Sequence, residues 1–142
     1  MTKQLEKCRW IILGCLLLVT GGFVSGQAKS SGGPTVDQFE TRCGWFYNPT
    51  PANVSLFDRD GEWIIGLQGG YQAEGVEDGW PDFGPKQWVE TNVHYGYGCA
   101  CLRLRVNRKT HEVIEIESSR ARPLATCRRD RSLRRWGLGE KN

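Results

Sequence analysis

The stretch Cys99-Ala100-Cys101-Leu102-Arg103-Leu104-Arg105-Val106 decides the fold, together with His111-Glu112-Val113-Ile114-Glu115-Ile116-Glu117 after the polar Asn107-Arg108-Lys109-Thr110. In the first run the even positions are apolar and the odd ones carry sulfur or guanidinium. That period of two gives a strand one buried and one solvated face. Two such runs around a polar turn predict a β-hairpin. Cross-strand partners must share a face, which sets the register. With partner numbers summing to 218, Leu104 meets Ile114, Leu102 meets Ile116 and Arg103 meets Glu115; a sum of 217 would put Leu102 over Glu115. The expected loop is then Arg108-Lys109-Thr110, closed by Asn107 and a structural His111.

The hairpin puts Cys99 and Cys101 on its arginine-bearing face, opposite the main core. Six cysteines occur in the 142 residues, and Cys8 and Cys15 fall in an N-terminal segment with the layout of an export signal. The remaining four, Cys43, Cys99, Cys101 and Cys127, predict two disulfides in an exported chain of this size. A Cys99–Cys101 bridge is disfavoured, because residues two apart on a strand lie about 6.6–6.8 Å apart with parallel Cβ vectors. Cys43 and Cys127 then each take one member of the Cys-Ala-Cys step, in either combination. A zinc site is the rival, but thiolate zinc sites space their paired cysteines more widely.

Towards the N-terminus, Val54–Phe57 and Glu62–Gln68 flank Asp58-Arg59-Asp60-Gly61, a second predicted hairpin in which Trp63, Ile65 and Leu67 share a face. Asn48-Pro49-Thr50-Pro51-Ala52-Asn53 reads as a rigid loop, since each proline fixes its own φ and extends the residue before it. Gly69–Pro85 is the least regular stretch, and Lys86–Asn92 looks extended. Ser118–Pro123 reads as a loop and Leu124–Leu133 as holding a short helix. The expected fold is mainly β: a small antiparallel sheet of hairpins with long Gly/Pro-rich loops, one or two short helices at most, and two disulfides.

Residues 1–9 are net positive, Trp10–Val24 carries no charge, and Gly26 and Ala28 supply small residues before a cut after position 28. This predicts a signal peptide over 1–28, with no stable membrane span once it is removed. A retained anchor would have only 17 residues, Trp10–Gly26, and a lipid-attachment reading at Cys15 leaves most of the apolar run on the wrong side of the cut. Residues 29–35 read as a flexible tether, 36–133 as one disulfide-stapled β-rich domain and 134–142 as a loose basic tail. Charge is uneven: residues 30–98 hold three basic and ten acidic side chains, residues 99–142 twelve and five. Mutual attraction of the two halves, within one chain or between copies, is the simplest use of that asymmetry.

The candidate binding surface comprises Trp45, Asn48, Pro49, Pro51, Asn53, Tyr71, Trp80 and Trp88, where aromatic rings and proline-stiffened loops could anchor a partner. Arg120, Arg122, Arg128, Arg129 and Arg131 form a basic patch suited to an anionic surface or to the acidic half. No spacing of a nucleic-acid-binding motif accompanies them, so no nucleic-acid partner is expected. Asp58-x-Asp60-Gly61-Glu62 has only part of a calcium-loop pattern, and an Asp-Gly turn explains the same residues. No metal or cofactor is expected. For catalysis the candidates are Glu74, Glu77, Asp78, Asp82, Glu90 and His94, but no pair has a defined separation and no Gly-x-Ser-x-Gly elbow is present.

Arg42-Cys43-Gly44-Trp45, Asn48-Pro49-Thr50-Pro51-Ala52-Asn53, Asp58-Arg59-Asp60-Gly61-Glu62-Trp63, Gln68-Gly69-Gly70, Tyr97-Gly98-Cys99-Ala100-Cys101 and Ser119-Arg120-Ala121 occur in one order. Together they resemble a bacterial family of small exported proteins, domain of unknown function 4087, over about Arg42 to Leu133. The resemblance implies a bacterial envelope or secreted location and transfers no activity. The expectation is a periplasmic or secreted binding protein, such as an inhibitor or immunity-like protein, whose partner is a protein or an anionic envelope component. Its oligomeric state is left open. A carbohydrate-active or other hydrolytic enzyme using loop carboxylates is the first alternative. The second is an envelope structural protein that binds anionic lipid or cell-wall polymer.

Overall fold

A computed structural model describes residues 38–140; the segments read as signal peptide and tether lie outside the described residues. The strands are β1 (Glu40–Thr50), β2 (Asn53–Phe57), β3 (Glu62–Gly66), β4 (Trp88–Asn92), β5 (Tyr95–Asn107) and β6 (Glu112–Arg122). A helix α1 (Leu124–Arg129) and a 3₁₀ helix (Arg131–Trp136) follow. The sheet order is β1-β2-β3-β6-β5-β4, and β1 also pairs with β5 along Glu40–Asn48. Five strands therefore form a ring, with β4 added at the end of β5 beyond β6. All pairings are antiparallel except β3 with β6. The sheet is thus mixed, where hairpins alone predict an antiparallel one.

The parallel contact is short, and a piece of the irregular segment completes it. Ala73 N–H donates to Ile65 O, Glu74 N–H to Ile114 O and Ile116 N–H to Glu74 O, at 2.9–3.0 Å. Edge groups that would otherwise lie unpaired are satisfied in this way. Counted without β4, the order round the ring is 1-2-3-5-4-1, the strand order of an OB barrel, a five-stranded Greek-key form. Such likeness of topology transfers no function. Bending β1 from β5 onto β2 needs Gly44, because a Cβ there would strike the Phe57 carbonyl.

Even positions of β5 do point inward. Ala100, Leu102, Leu104 and Val106 join Phe46, Leu56, Trp63, Ile65 and Val113 in the barrel core. Leu67, expected on the same face as Trp63 and Ile65, lies past the end of β3 and is exposed. The β5–β6 register differs from the expected one: Leu104 pairs with Ile116, Arg105 with Glu115 and Val106 with Val113. Irregularities after Arg103 and Arg105 reset the count, as bulges do, while keeping apolar against apolar. The ion pairs accordingly fall at Arg105–Glu115 and Arg103–Glu117. The loop has four residues, Arg108–His111. Asn107 Oδ1 accepts from Lys109 N–H and Thr110 N–H, and His111 sits at φ 58°. The segment read as a loop at 118–122 continues β6, because Arg120 and Arg122 pair with Cys101 and Cys99.

Cysteine pairing resolves to Cys43–Cys101 and Cys99–Cys127. The first joins directly opposed residues of β1 and β5. The second draws the C-terminal segment over the outer face of those strands. There Trp45, Tyr97, Cys99, Cys127 and Leu133 form a second buried cluster, against which Trp136 and Leu138 also pack. Trp136 Nε1 donates to Asp58 O at 2.9 Å, and Gly139 N–H donates to the Tyr97 hydroxyl at 3.2 Å. The stretch from 134 expected to be a loose tail is therefore docked as far as Gly139. Its apolar residues have an outer face to cover that hairpin arithmetic did not reveal.

Candidate functional site

The two ends of the barrel have opposite characters, and the difference locates the site. At one end Arg42 enters from β1 and is 7% exposed. Its guanidinium lies 4.0 Å from the Trp63 ring centroid and donates to Asp58 at 2.5 Å, Glu40 at 2.6 Å and Asp60 at 3.0 Å. Burial alone would lower the Arg42 pKa, but these three carboxylates outweigh it and raise the value. Asp58 is 3% exposed, and its other oxygen accepts from Asp60 N–H and Gly61 N–H. Protein donors thus hold both oxygens of Asp58, which accounts for the Asp58–Gly61 turn as a hairpin closure. His111 stacks on Trp63 with centroids 4.9 Å apart, in keeping with a structural role.

The other end is open. A cleft of about 720 Å³ lies there, within the usual range of small-ligand sites. One wall is the β1–β2 turn. Asn48 is buried, and its amide donates to Thr50 O and Asn53 O, while Asn53 donates to Thr50 Oγ1 at 2.7 Å. The expected six-residue rigid loop is therefore a two-residue turn, Pro51-Ala52, with Ala52 at φ 56°. β1 runs through Pro49 to Thr50, because the extended geometry that the prolines impose on Asn48 and Thr50 is strand geometry.

The second wall is the irregular segment. Gln72 donates to Leu67 O and Ala52 O, tying it to the first wall. Gly75 and Gly79 lie against Ile116, where a Cβ would collide. From there Trp80, Pro81, Asp82 and Phe83 cross the barrel mouth. Trp80 stands edge-to-face with Phe46, centroids 4.8 Å apart, and Phe83 lies against Trp88 at 4.9 Å and over Gly98. The β4–β5 turn completes the rim, where Trp88 Nε1 donates to His94 O at 3.1 Å.

Of the expected binding residues, Asn48, Pro51, Trp80 and Trp88 line this cleft. Pro49 and Asn53 are half-buried beside it and shape its turn. Tyr71 is half-buried and donates its hydroxyl to Val113 O at 2.7 Å; burial, then Glu112 and Glu74, raise its pKa. Trp45 belongs elsewhere: it is 1% exposed on the outer face, edge-on to Tyr97 beneath the C-terminal segment. Of the catalytic candidates, Glu77, Asp82 and His94 line the cleft. Glu74 bridges to β6 through its backbone, and Asp78 and Glu90 lie outside the lining. Gln72, Val76 and Pro81 were missed as site residues. Only the proline between Trp80 and Asp82 carried a signal, as a stiffener beside an aromatic ring.

The basic patch lies on the outer surface. Arg120 and Arg122 stand opposite the cysteines on β6, Arg128 and Arg129 end α1, and Arg131 opens the 3₁₀ helix. No ion pair involves any of these five among the described residues. Of the ion pairs described, only Arg108–Glu40 joins the acidic half to the basic half. Among the described residues no group of three or more His, Cys, Asp or Glu is placed to hold a metal ion, and no helix is long and apolar enough to cross a membrane.

A family model described as Protein of unknown function (DUF4087) matches residues 37–134, and the chain belongs to that family. No curated protein and no solved structure matches it.

Proposed function

We propose that this DUF4087 protein is an exported binding protein of the bacterial envelope that takes a loop of a partner enzyme into its aromatic cleft and inhibits it. The observation that carries this reading is the cleft itself. Trp80 stays 40% exposed at the mouth of a barrel whose other large rings are mostly covered. An accessible tryptophan on a braced scaffold is the kind of anchor that dominates protein interfaces. Two disulfides in a chain this short support a life outside the reducing cytoplasm. Asn48, Gln72 and Gly75 fix the walls through backbone contacts, so little ordering entropy is left to lose on binding.

Capture from a periplasmic extract with the purified, oxidised protein tests the proposal. An enzyme retained by the wild type at micromolar concentration, released by Trp80→Ala and inhibited on binding, is the expected result. No retained enzyme, or one retained equally by Trp80→Ala, overturns it. Arg120, Arg122, Arg128, Arg129 and Arg131, which form no ion pair among the described residues, favour a second contact with anionic envelope lipid or polymer. Vesicle binding that weakens steeply with salt is expected of that surface.

A further inference from the structure

We infer that the cleft selects an organic cation, taking a guanidinium or alkylammonium group against Trp80 with the carboxylates of Glu77 and Asp82 beside it. The inference rests on the cleft being a binding site and adds the chemistry of what enters it. A tryptophan face attracts a cation through its quadrupole, more strongly once water is displaced. Glu77 and Asp82 line the same cavity, and among the described residues no lysine or arginine does. The closed end of the barrel provides an internal precedent. There the chain's own Arg42 lies over Trp63 and is held by Asp58, Asp60 and Glu40. The open end repeats that set of groups, tryptophan with flanking carboxylates, with no lysine or arginine of the described residues between them.

The test is an NMR titration of the purified, oxidised protein, following the indole N–H resonances of Trp80 and Trp88. The probes are N-acetyl-arginine amide, tetramethylammonium and the uncharged isostere N-acetyl-citrulline amide. Saturable shifts with both cations are expected, with the citrulline compound weaker by about tenfold. Trp80→Ala should remove the response at Trp88. Glu77→Gln with Asp82→Asn should weaken cation binding about threefold and flatten its salt dependence. Both carboxylates are exposed, so this pair reads the chemistry even if Trp80→Ala fails to fold. Equal binding of the uncharged isostere, or no effect of the paired carboxylate substitutions, overturns the inference. An enzyme released by Trp80→Ala but indifferent to excess arginine amide would overturn the cation reading and leave the inhibitor reading standing. Saturable cation binding with no retained enzyme would do the reverse.

Discussion

The closed and open ends of this barrel use similar residue types to opposite effect. At the closed end Trp63 is 2% exposed and Arg42 fills the space above it, with carboxylates satisfying the guanidinium. At the open end Trp80 is 40% exposed, and Glu77 and Asp82 face a cavity. One end is completed within the chain and the other is left open. Buried charge is tolerable only when paired and hydrogen-bonded. Stability should therefore depend on the closed end, and recognition on the open one.

The largest effect expected is at Asp58. Asp58→Ala leaves Arg42 buried without its closest partner and should cost about 3–5 kcal/mol in urea unfolding, without altering the cleft in a folded sample. Next is the bridge across 28 residues from Cys99 to Cys127. Replacing both cysteines with serine should cost roughly 3–4 kcal/mol by chain entropy, and should speed amide exchange at Leu133 and Gly139 before the barrel strands. At the open end, Trp80→Ala should cost about 2–3 kcal/mol, less than a fully buried ring would, since Trp80 is already 40% exposed to water. A loss as large as that at Asp58 would make Trp80 a core residue and end the contrast.

The smallest effect is at Asp130, which caps the 3₁₀ helix near the closed end. Its carboxylate accepts from Ser132 Oγ and Ser132 N–H, and these bonds, with burial opposing and Arg59 assisting, lower its pKa. A carboxylate depressed on folding contributes stability above its unfolded value near 4, and that contribution is lost as pH falls through the folded value. Asp130→Ala should cost about 1 kcal/mol at pH 7 and less than that below pH 3, as followed by thermal melts. A cost unchanged by acid would assign the effect to packing.

Much of the barrel was legible because one-sided burial writes itself into alternation. The β5 pattern placed Ala100, Leu102, Leu104 and Val106 inward and the cysteines outward, and the Asp58–Gly61 turn announced the β2–β3 hairpin. The register was less legible: bulges after Arg103 and Arg105 keep faces matched while shifting partners, so hydrophobic matching alone selects the wrong pairs. The site was legible in part. Trp80 and Trp88 stood out as large rings in a glycine-rich stretch, but Trp45 looked the same in one dimension and is buried.

What the sequence by itself determined is the local chemistry: strand faces, the Asp58–Gly61 turn, the clustering of arginines after Arg120 and which cysteine pairing to reject. Each depends on residues a few positions apart, where geometry is set by the backbone. The tertiary structure alone decided that β3 and β6 run side by side, that the C-terminal segment covers Trp45, and that Arg42 seals one end while Trp80 leaves the other open. Those outcomes depend on contacts between residues tens of positions apart. Many closures satisfy the same alternation, and only the packing of distant elements against one another selects among them.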